Sequence, residues 1–134
     1  MATEMYAQLA IYGEQLDPDE VTKVLGLSPE RSWRRGDPKG ARGVASRKEG
    51  CWKIETKRSQ DCEKDLNDHL LTLLERIAPV RGIVGALAER FTLQFECIIE
   101  FDQEVPALHV DRQVMKAMSD LGGELDIDAY LFGS

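Results

Sequence analysis

The chain is poor in the residues that most often carry chemistry. Its three cysteines are Cys51, Cys62 and Cys97, and it has two histidines. The odd cysteine count and the lack of Cys-x-x-Cys spacing argue against a disulfide scaffold, so we expect reduced thiols in a cytoplasmic protein. No histidine, cysteine and acidic residues have metal-ligand spacing, and we therefore expect no metal and no cofactor.

Long apolar runs and catalytic motifs are also missing. The chain has no stretch of about 18 apolar residues, which excludes a membrane-spanning helix. Its first residues lack the basic start and apolar core of a signal peptide. No nucleophile elbow, His-Glu-x-x-His motif or phosphate-binding loop occurs. We name no catalytic residue, and we expect a binding protein in preference to an enzyme.

Four stretches alternate apolar and polar residues, as half-buried strands do. The clearest is Phe91–Phe101, and Met5–Tyr12 matches it in pattern. We expect these two strands to pair at the centre of a sheet. Shorter strands are predicted at Cys51–Lys57 and Leu125–Phe132. In the last strand the residues expected to face inward are Leu125, Ile127, Ala129 and Leu131.

Helix signals separate these strands. Asp17 is a good N-cap and Pro18 suits the first helical position. A pair of helices interrupted at Pro79 follows, its first cap predicted at Ser59 or Asp61, and Asp111 caps a later helix. The elements predict one α+β domain over residues 1–134. The expected fold is a four-stranded antiparallel, ferredoxin-like sheet with helices on one face and the helical pair inserted. A mixed sheet of different strand order is the alternative.

Charge is distributed unevenly along the chain. Residues 31–60 hold ten Lys and Arg against three Asp and Glu, whereas the other 104 residues carry a balance of −14. An acidic protein discourages non-specific binding to nucleic acid or to anionic membranes. Much of the basic segment falls in a predicted loop at about residues 28–50, which is long for a small domain. The loop is therefore a candidate anion site.

Short sequence blocks within and beyond this loop carry a family resemblance. They are Leu16–Pro18, Leu25–Leu27, Pro29, Ser32–Asp37, Trp52 and Leu125–Tyr130. In these blocks the chain resembles a bacterial family catalogued as domain of unknown function 4279. The resemblance implies one small intracellular α+β domain and implies no activity, cofactor or catalytic residue.

The candidate binding residues centre on Trp33. Arginine forks suit carboxylate or phosphate, a glycine lets backbone approach a ligand, and the indole can stack on a ring or a guanidinium. In the other interpretation, Arg34 or Arg35 is paired with acidic groups of the protein itself. The full candidate set is Arg31, Trp33, Arg34, Arg35, Gly36, Asp37, Lys48 and Trp52.

Acidic side chains mark the outward sides of the strands: Glu96, Glu100, Asp126 and Asp128. This pattern is typical of a solvated sheet face, although neighbouring carboxylates also suit a divalent cation. Such acidity disfavours the RNA-binding use of a ferredoxin-like sheet. His69 lies off the apolar stripe of its predicted helix, and we expect it at the surface.

Three functions stay open at this point. The first is a small non-enzymatic binding domain that recognises an acidic protein partner through its basic loop. The second is an enzyme or small-ligand binder that holds an anion near Arg34, Arg35 and Asp37. The third is a self-associating structural domain, a homo-oligomer with exposed aromatic contacts at Tyr6, Tyr12, Tyr130 and Phe132.

Overall fold

The computed structural model of the protein describes residues 3–40, 45–60, 63–104 and 106–131. The strands within these ranges are β1 (Glu4–Gly13), β2 (Arg31–Trp33), β3 (Pro38–Lys39), β4 (Ala45–Ser46), β5 (Gly50–Glu55), β6 (Ser59–Gln60), β7 (Thr92–Phe101) and β8 (Gly123–Leu131). The α-helices are α1 (Pro18–Leu25), α2 (Leu66–Ile77), α3 (Arg81–Arg90) and α4 (Arg112–Asp120), and a 3₁₀ turn at Ala78–Val80 joins α2 to α3.

The sheet is built on the antiparallel pair β1 and β7. Leu9 stands opposite Phe95, and the register runs without a break from Glu4 opposite Glu100 to Tyr12 opposite Thr92. Most apolar residues of both strands share one face because side chains alternate along each strand, and Ala10 and Ile98 are the exceptions on the other face. The prediction that these two strands form the centre of the sheet is confirmed.

The sheet is mixed, with the order β2-β5-β1-β7-β8 and with β6 beside one end of β1. β8 runs parallel to β7, and the chain passes between them through α4. The four-stranded antiparallel, ferredoxin-like arrangement is therefore wrong, and the alternative of a mixed sheet is confirmed. A parallel neighbour needs a long crossover, which α4 and its flanking segments supply here.

The α-helices pack on one face of the sheet, which we call the helix face. The core residues from β1 are Met5, Ala7, Leu9 and Ile11, and those from β7 are Leu93, Phe95, Cys97 and Ile99. Helix residues such as Val21, Leu70, Val84 and Met118 complete the same cluster. The opposite face, which bears the even-numbered side chains of β1 and β7, is called the open face below.

The inserted helical pair begins later than expected. The N-cap of α2 is Asp65, which forms a reciprocal capping box with Asp68. The predicted cap at Ser59 is wrong, because Ser59 belongs to β6 and pairs with Met5. Asp61 lies outside the described residues. Since Asp65 and Asp68 satisfy each other's backbone donors, the local capping chemistry decides where the helix starts.

β8 differs from its predicted environment. Leu125, Ile127 and Leu131 were expected under the helices, but they are 43%, 40% and 47% exposed. They share a face with Phe95 and Cys97 through the parallel register. The alternation therefore assigns the correct face, but the expectation of burial is wrong because β8 is an edge strand that the helices do not cover.

The first helix begins as predicted. The Asp17 side chain accepts a hydrogen bond from the Asp19 backbone N–H at 3.0 Å, and Pro18 takes the first helical position. Gly26 ends the helix in the left-handed conformation, with φ of 67°. The Trp52 indole N–H, which donates to Thr22 at 3.0 Å, ties this helix to β5.

We expect Asp17→Ala to lower the free energy of unfolding by about 0.5–2 kcal/mol, because the substitution leaves a backbone N–H of α1 without its acceptor. Urea unfolding measures the change. Asp17→Asn is the matched control, since it keeps a capping oxygen and removes only the charge. An Asp17→Ala midpoint equal to that of the wild type would show that the cap does not hold the helix.

Candidate binding site beside Trp33

Trp33 lies on the open face at the β2 edge of the sheet. β2 pairs with β5, which places Trp33 opposite Cys51 and Arg31 opposite Lys53. Arg31, Trp33 and Lys53 therefore project from the same face, away from the helices. The site therefore lies at the β2 edge of the open face, where β2 pairs with β5.

A tight turn after β2 fixes the site's backbone. The Arg34 backbone N–H donates to the Asp37 carboxylate at 2.7 Å, and the Asp37 N–H donates back to the Arg34 carbonyl at 3.1 Å. Gly36 has φ of 91°, a conformation that side chains with a Cβ disfavour. The Gly36 N–H reaches the Arg47 carbonyl at 2.8 Å, so the turn and the segment before β5 hold each other in place.

Three cations surround the Trp33 ring as a result. The Cζ atom of Arg47 lies 3.8 Å from the ring centroid, that of Arg31 lies 5.6 Å away, and the Nζ of Lys53 lies 5.5 Å away. All three distances fall within the range of cation–π attraction. The Arg47 guanidinium makes the shortest of these contacts and stacks on the indole.

A cleft of about 360 Å³ opens beside this stack. It is lined by Tyr12, Trp33, Lys39, Ala45, Ser46, Arg47, Lys48 and Glu49. Three of these side chains are cationic and one is acidic. The cleft is large enough for a side chain or a small ligand, and its charge favours an anion.

The predicted arginines are engaged by the protein's own carboxylates. Arg34 contacts Asp17 at 2.8 Å and Asp19 at 2.6 Å, and Asp17 above all raises the pKa of its guanidinium. Arg35 lies 4.0 Å from Glu14. Arg34 therefore joins the turn to the start of α1. This arrangement matches the interpretation in which these arginines pair internally.

The cations that line the cleft are different. Within residues 3–40, 45–60, 63–104 and 106–131, Lys39, Arg47 and Lys48 make no ion pair, and neither does Arg31. The Nε of Arg47 is buried and has no hydrogen-bond partner in that part of the chain. Of the predicted residues, the structure therefore brings Trp33 and Lys48 to the cleft, and Arg31 lies beside the Trp33 ring without lining it.

Trp52 lies elsewhere. It is fully buried on the helix face, with its indole N–H directed at α1. We remove it from the candidate site and add Lys39 and Arg47. Sequence reasoning missed these two because every cation of the basic segment contributes equally to a charge count.

The comparisons with known proteins concern the whole chain. A family model described as a domain of unknown function, DUF4279, matches residues 3–132. The chain belongs to this family. No curated protein and no solved structure gives a significant match. The predicted resemblance is thus confirmed, and the DUF4279 match covers both the Trp33 cleft and β8.

A second polar cluster of this DUF4279 domain lies beside the cleft on the open face. Lys53 is only 7% exposed, and its Nζ lies 2.9 Å from Glu96 and 3.3 Å from the amide oxygen of Gln8. The Tyr12 hydroxyl donates to the other Glu96 oxygen at 2.6 Å. Burial and this hydrogen bond raise the pKa of the Tyr12 phenol, so it stays protonated. The centre of the open face is therefore a paired network and not a solvated surface.

Glu100 accepts a hydrogen bond from Arg58 at 2.6 Å, and no group of three potential metal ligands occurs in the described ranges. Burial raises the pKa values of the Cys51 and Cys97 thiols to about 12. Both thiols are thus protonated near neutral pH, which argues against a nucleophilic role.

No helix in the described parts of the DUF4279 chain has the length and apolar content to cross a bilayer.

The prediction that His69 is at the surface is wrong. The ring is 1% exposed, and its two nitrogens lie 2.7 Å from the hydroxyls of Thr56 and Ser59. Thr56 in turn accepts the Ala7 backbone N–H at 2.9 Å. Burial, reinforced by the charge of Lys64, lowers the pKa of His69. The ring is therefore a neutral link between α2 and β1.

We expect the stability of this DUF4279 domain to fall as the pH drops from 7 towards 5. In the unfolded chain His69 binds a proton as the pH falls below about 6.5, whereas in the folded chain its lowered pKa opposes protonation. Proton binding therefore favours the unfolded state, and the free energy of unfolding falls. One proton limits the slope to about 1.4 kcal/mol per pH unit. Urea unfolding at several pH values measures it.

The matched controls are His69→Gln and His109→Gln. His69→Gln should flatten the slope between pH 7 and 5, whereas His109→Gln, at an exposed position, should leave it unchanged. Equal slopes in the wild type and in His69→Gln would show that the buried ring does not cause the pH dependence.

Proposed function

We propose that this protein is a small cytoplasmic, non-enzymatic binding domain whose Trp33 cleft receives carboxylates of an acidic protein partner. One observation carries the proposal. The cations that line the cleft, Lys39, Arg47 and Lys48, have no ion-pair partner in the described parts of the chain, whereas Arg34 outside it has two. Unpaired cations gathered on one concave surface favour an external anion.

The held position of Arg47 strengthens the argument. Its guanidinium already stacks on Trp33, so binding a carboxylate costs little side-chain entropy. Lys39 and Lys48 are exposed and add attraction at longer range. Each exposed pair contributes modestly, and several together give the affinity and the salt dependence of an electrostatic interface.

The chemistry of the lining also favours binding over reaction. Tyr12 keeps its proton because burial and Glu96 raise its pKa. Ser46 is the other hydroxyl in the cleft, and no histidine is among the described residues that line it. The Ser46 hydroxyl has no hydrogen bond to a carboxylate, lysine or histidine among the described residues, and a serine without an activating base is a weak nucleophile.

A small anionic ligand is the second candidate. The cleft volume of about 360 Å³ lies within the range of small-molecule sites, and one wall is an aromatic ring. The acidic protein partner is favoured because the free cations extend from Arg47 to the exposed Lys39 and Lys48, a spread that suits several carboxylates in a row.

The test is a titration of the protein with a hexaglutamate peptide, followed by the change in tryptophan fluorescence, to which the buried Trp52 adds a constant background. Lys39→Gln with Lys48→Gln should weaken binding about tenfold at low salt, because two of the cleft's cations are lost. Lys23→Gln with Lys57→Gln makes the same change in net charge at exposed positions outside the cleft. This control pair should leave peptide binding at the cleft unchanged. Raising the salt from 0.1 to 1 M should weaken wild-type binding.

Three results would overturn or redirect the proposal. Equal weakening by both lysine pairs would reduce the effect to net charge. A loss of binding in Arg34→Ala but not in the cleft variant would move the site back to the predicted arginines. Free glutamate that binds as tightly as the peptide would favour the small-ligand function.

A further inference from the structure

The outer edge of β8 is available for pairing with a further strand. β8 pairs with β7 along Gly123–Leu131, and no strand among the described residues pairs with its other side. An edge strand presents alternating free N–H and C=O groups, which form a template for another extended chain. This edge is nine residues long, above the usual strand length, and has ample hydrogen-bonding capacity.

The two faces of this edge differ in chemistry. On the helix face, Leu125, Ile127 and Leu131 are all at least 40% exposed. On the open face, Glu124, Asp126 and Asp128 form no ion pair within the described chain. An apolar row and an acidic row thus run along opposite faces of the same strand.

We propose that the β8 edge binds an extended segment of another protein in which apolar residues alternate with Lys or Arg. The segment would add as a strand, its backbone hydrogen-bonded to β8. Its apolar side chains would cover Leu125, Ile127 and Leu131, and its cations would stand beside Asp126 and Asp128. This surface lies at the opposite end of the sheet from β2 and the Trp33 cleft, so the inference is independent of the proposed function.

Charge decides against a second copy as the occupant. Two β8 edges that pair antiparallel over their full length would bring Asp126 of one copy opposite Asp128 of the other on the open face. Like charges directly across a strand pair are destabilising. The same carboxylates that oppose self-pairing attract a basic strand, which explains how the edge can stay both open and selective.

The experiment uses the full chain and a seven-residue peptide of alternating isoleucine and lysine. Two forms are made, N-methylated at every isoleucine or at every lysine, so that each keeps one hydrogen-bonding edge and cannot stack into an extended sheet. Fluorescence anisotropy measures binding, and hydrogen exchange locates it. We expect at least one form to bind and to protect amides within residues 123–131. A fully N-methylated peptide and a peptide alternating isoleucine with glutamate should not bind.

Protein variants separate charge at β8 from net charge. Asp126→Asn with Asp128→Asn should weaken binding about fivefold at low salt, a change typical of two exposed ion pairs. Glu75→Gln with Glu89→Gln removes the same charge from exposed positions on α2 and α3 and should leave binding unchanged. Urea midpoints confirm that each variant is folded.

The proposal is overturned by any of the following results. These are binding of the fully N-methylated peptide, an equal effect of both acidic pairs, protection outside β8, and failure of both half-methylated peptides to bind. A concentration-dependent dimer that protects β8 and excludes the peptide would identify a second copy as the occupant, and that result also overturns it.

Discussion

Phe95→Ala is expected to lower the free energy of unfolding by about 3–5 kcal/mol, one of the two largest effects of any substitution considered. Phe95 is fully buried in the middle of β7, opposite Leu9. Its ring also supports the neighbouring strand, because a Cβ built on Gly123 would lie 2.7 Å from it. Truncation thus leaves a cavity bordered by β1, β8 and the helices, which the surrounding backbone can fill only in part.

Denaturant unfolding followed by circular dichroism measures this loss. Phe101→Ala is the matched control, since Phe101 lies on the same strand but is only half-buried at its end. Its cost should be clearly smaller. A loss below about 1 kcal/mol for Phe95→Ala would mean that β7 is not the centre of the core.

The second large effect is expected at the buried ion pair of the open face. Lys53→Met should lower the free energy of unfolding by about 3 kcal/mol, because it leaves the Glu96 carboxylate buried without its cation. The side chains of Lys53 and Glu96 are 9% and 12% exposed, so water compensates little for the loss. Methionine keeps most of the lysine volume, which separates the charge effect from packing.

The control is the double variant Lys53→Met with Glu96→Gln. It removes both charges and retains a hydrogen-bond acceptor for Tyr12, so it should be more stable than Lys53→Met alone. Lys116→Met breaks an exposed pair with Asp120 at 2.8 Å and should have no measurable effect. If the double variant is less stable than the single variant, the network depends on the Glu96 hydrogen bonds more than on charge compensation.

The sequence predicts the core strands well and their arrangement poorly. Alternation in Met5–Tyr12 and Phe91–Phe101 reports which side chains share a face, and this holds for β1, β7 and even β8. Alternation does not distinguish a parallel neighbour from an antiparallel one. The direction of β8 depends on how the chain through α4 crosses over, a property of the three-dimensional path that local patterns do not contain.

Burial, like strand direction, cannot be read from the local sequence pattern alone. Leu125 and Ile127 have the pattern of core residues, but whether a helix covers them depends on the lateral position of α4. His69 is the opposite case, since it lies off the apolar stripe and is nevertheless buried. Its two ring nitrogens are hydrogen-bonded to the hydroxyls of Thr56 and Ser59. Polar side chains that satisfy one another can be buried, and apolar periodicity does not detect them.

The site was predicted at the level of the segment and not of the residues. Charge counting located the basic stretch and Trp33. It could not show that Arg34 meets Asp17 and Asp19 whereas Arg47 stacks on Trp33, because these contacts join residues 14 to 17 positions apart. Pairing in three dimensions decides which cations remain available.

The pairing of β1 with β7 has a consequence for how the chain folds. Tyr12 meets Thr92 and Glu4 meets Glu100, so the partners lie 80 to 96 positions apart along the chain. Closing so long a loop is entropically costly and comes before the contacts that reward it, which slows folding. During synthesis β5 and α2 emerge first and can pack against β1, but the edge of β1 that pairs with β7 stays open until β7 has left the ribosome. That edge is therefore the part of the first strand most in need of protection before the domain is complete.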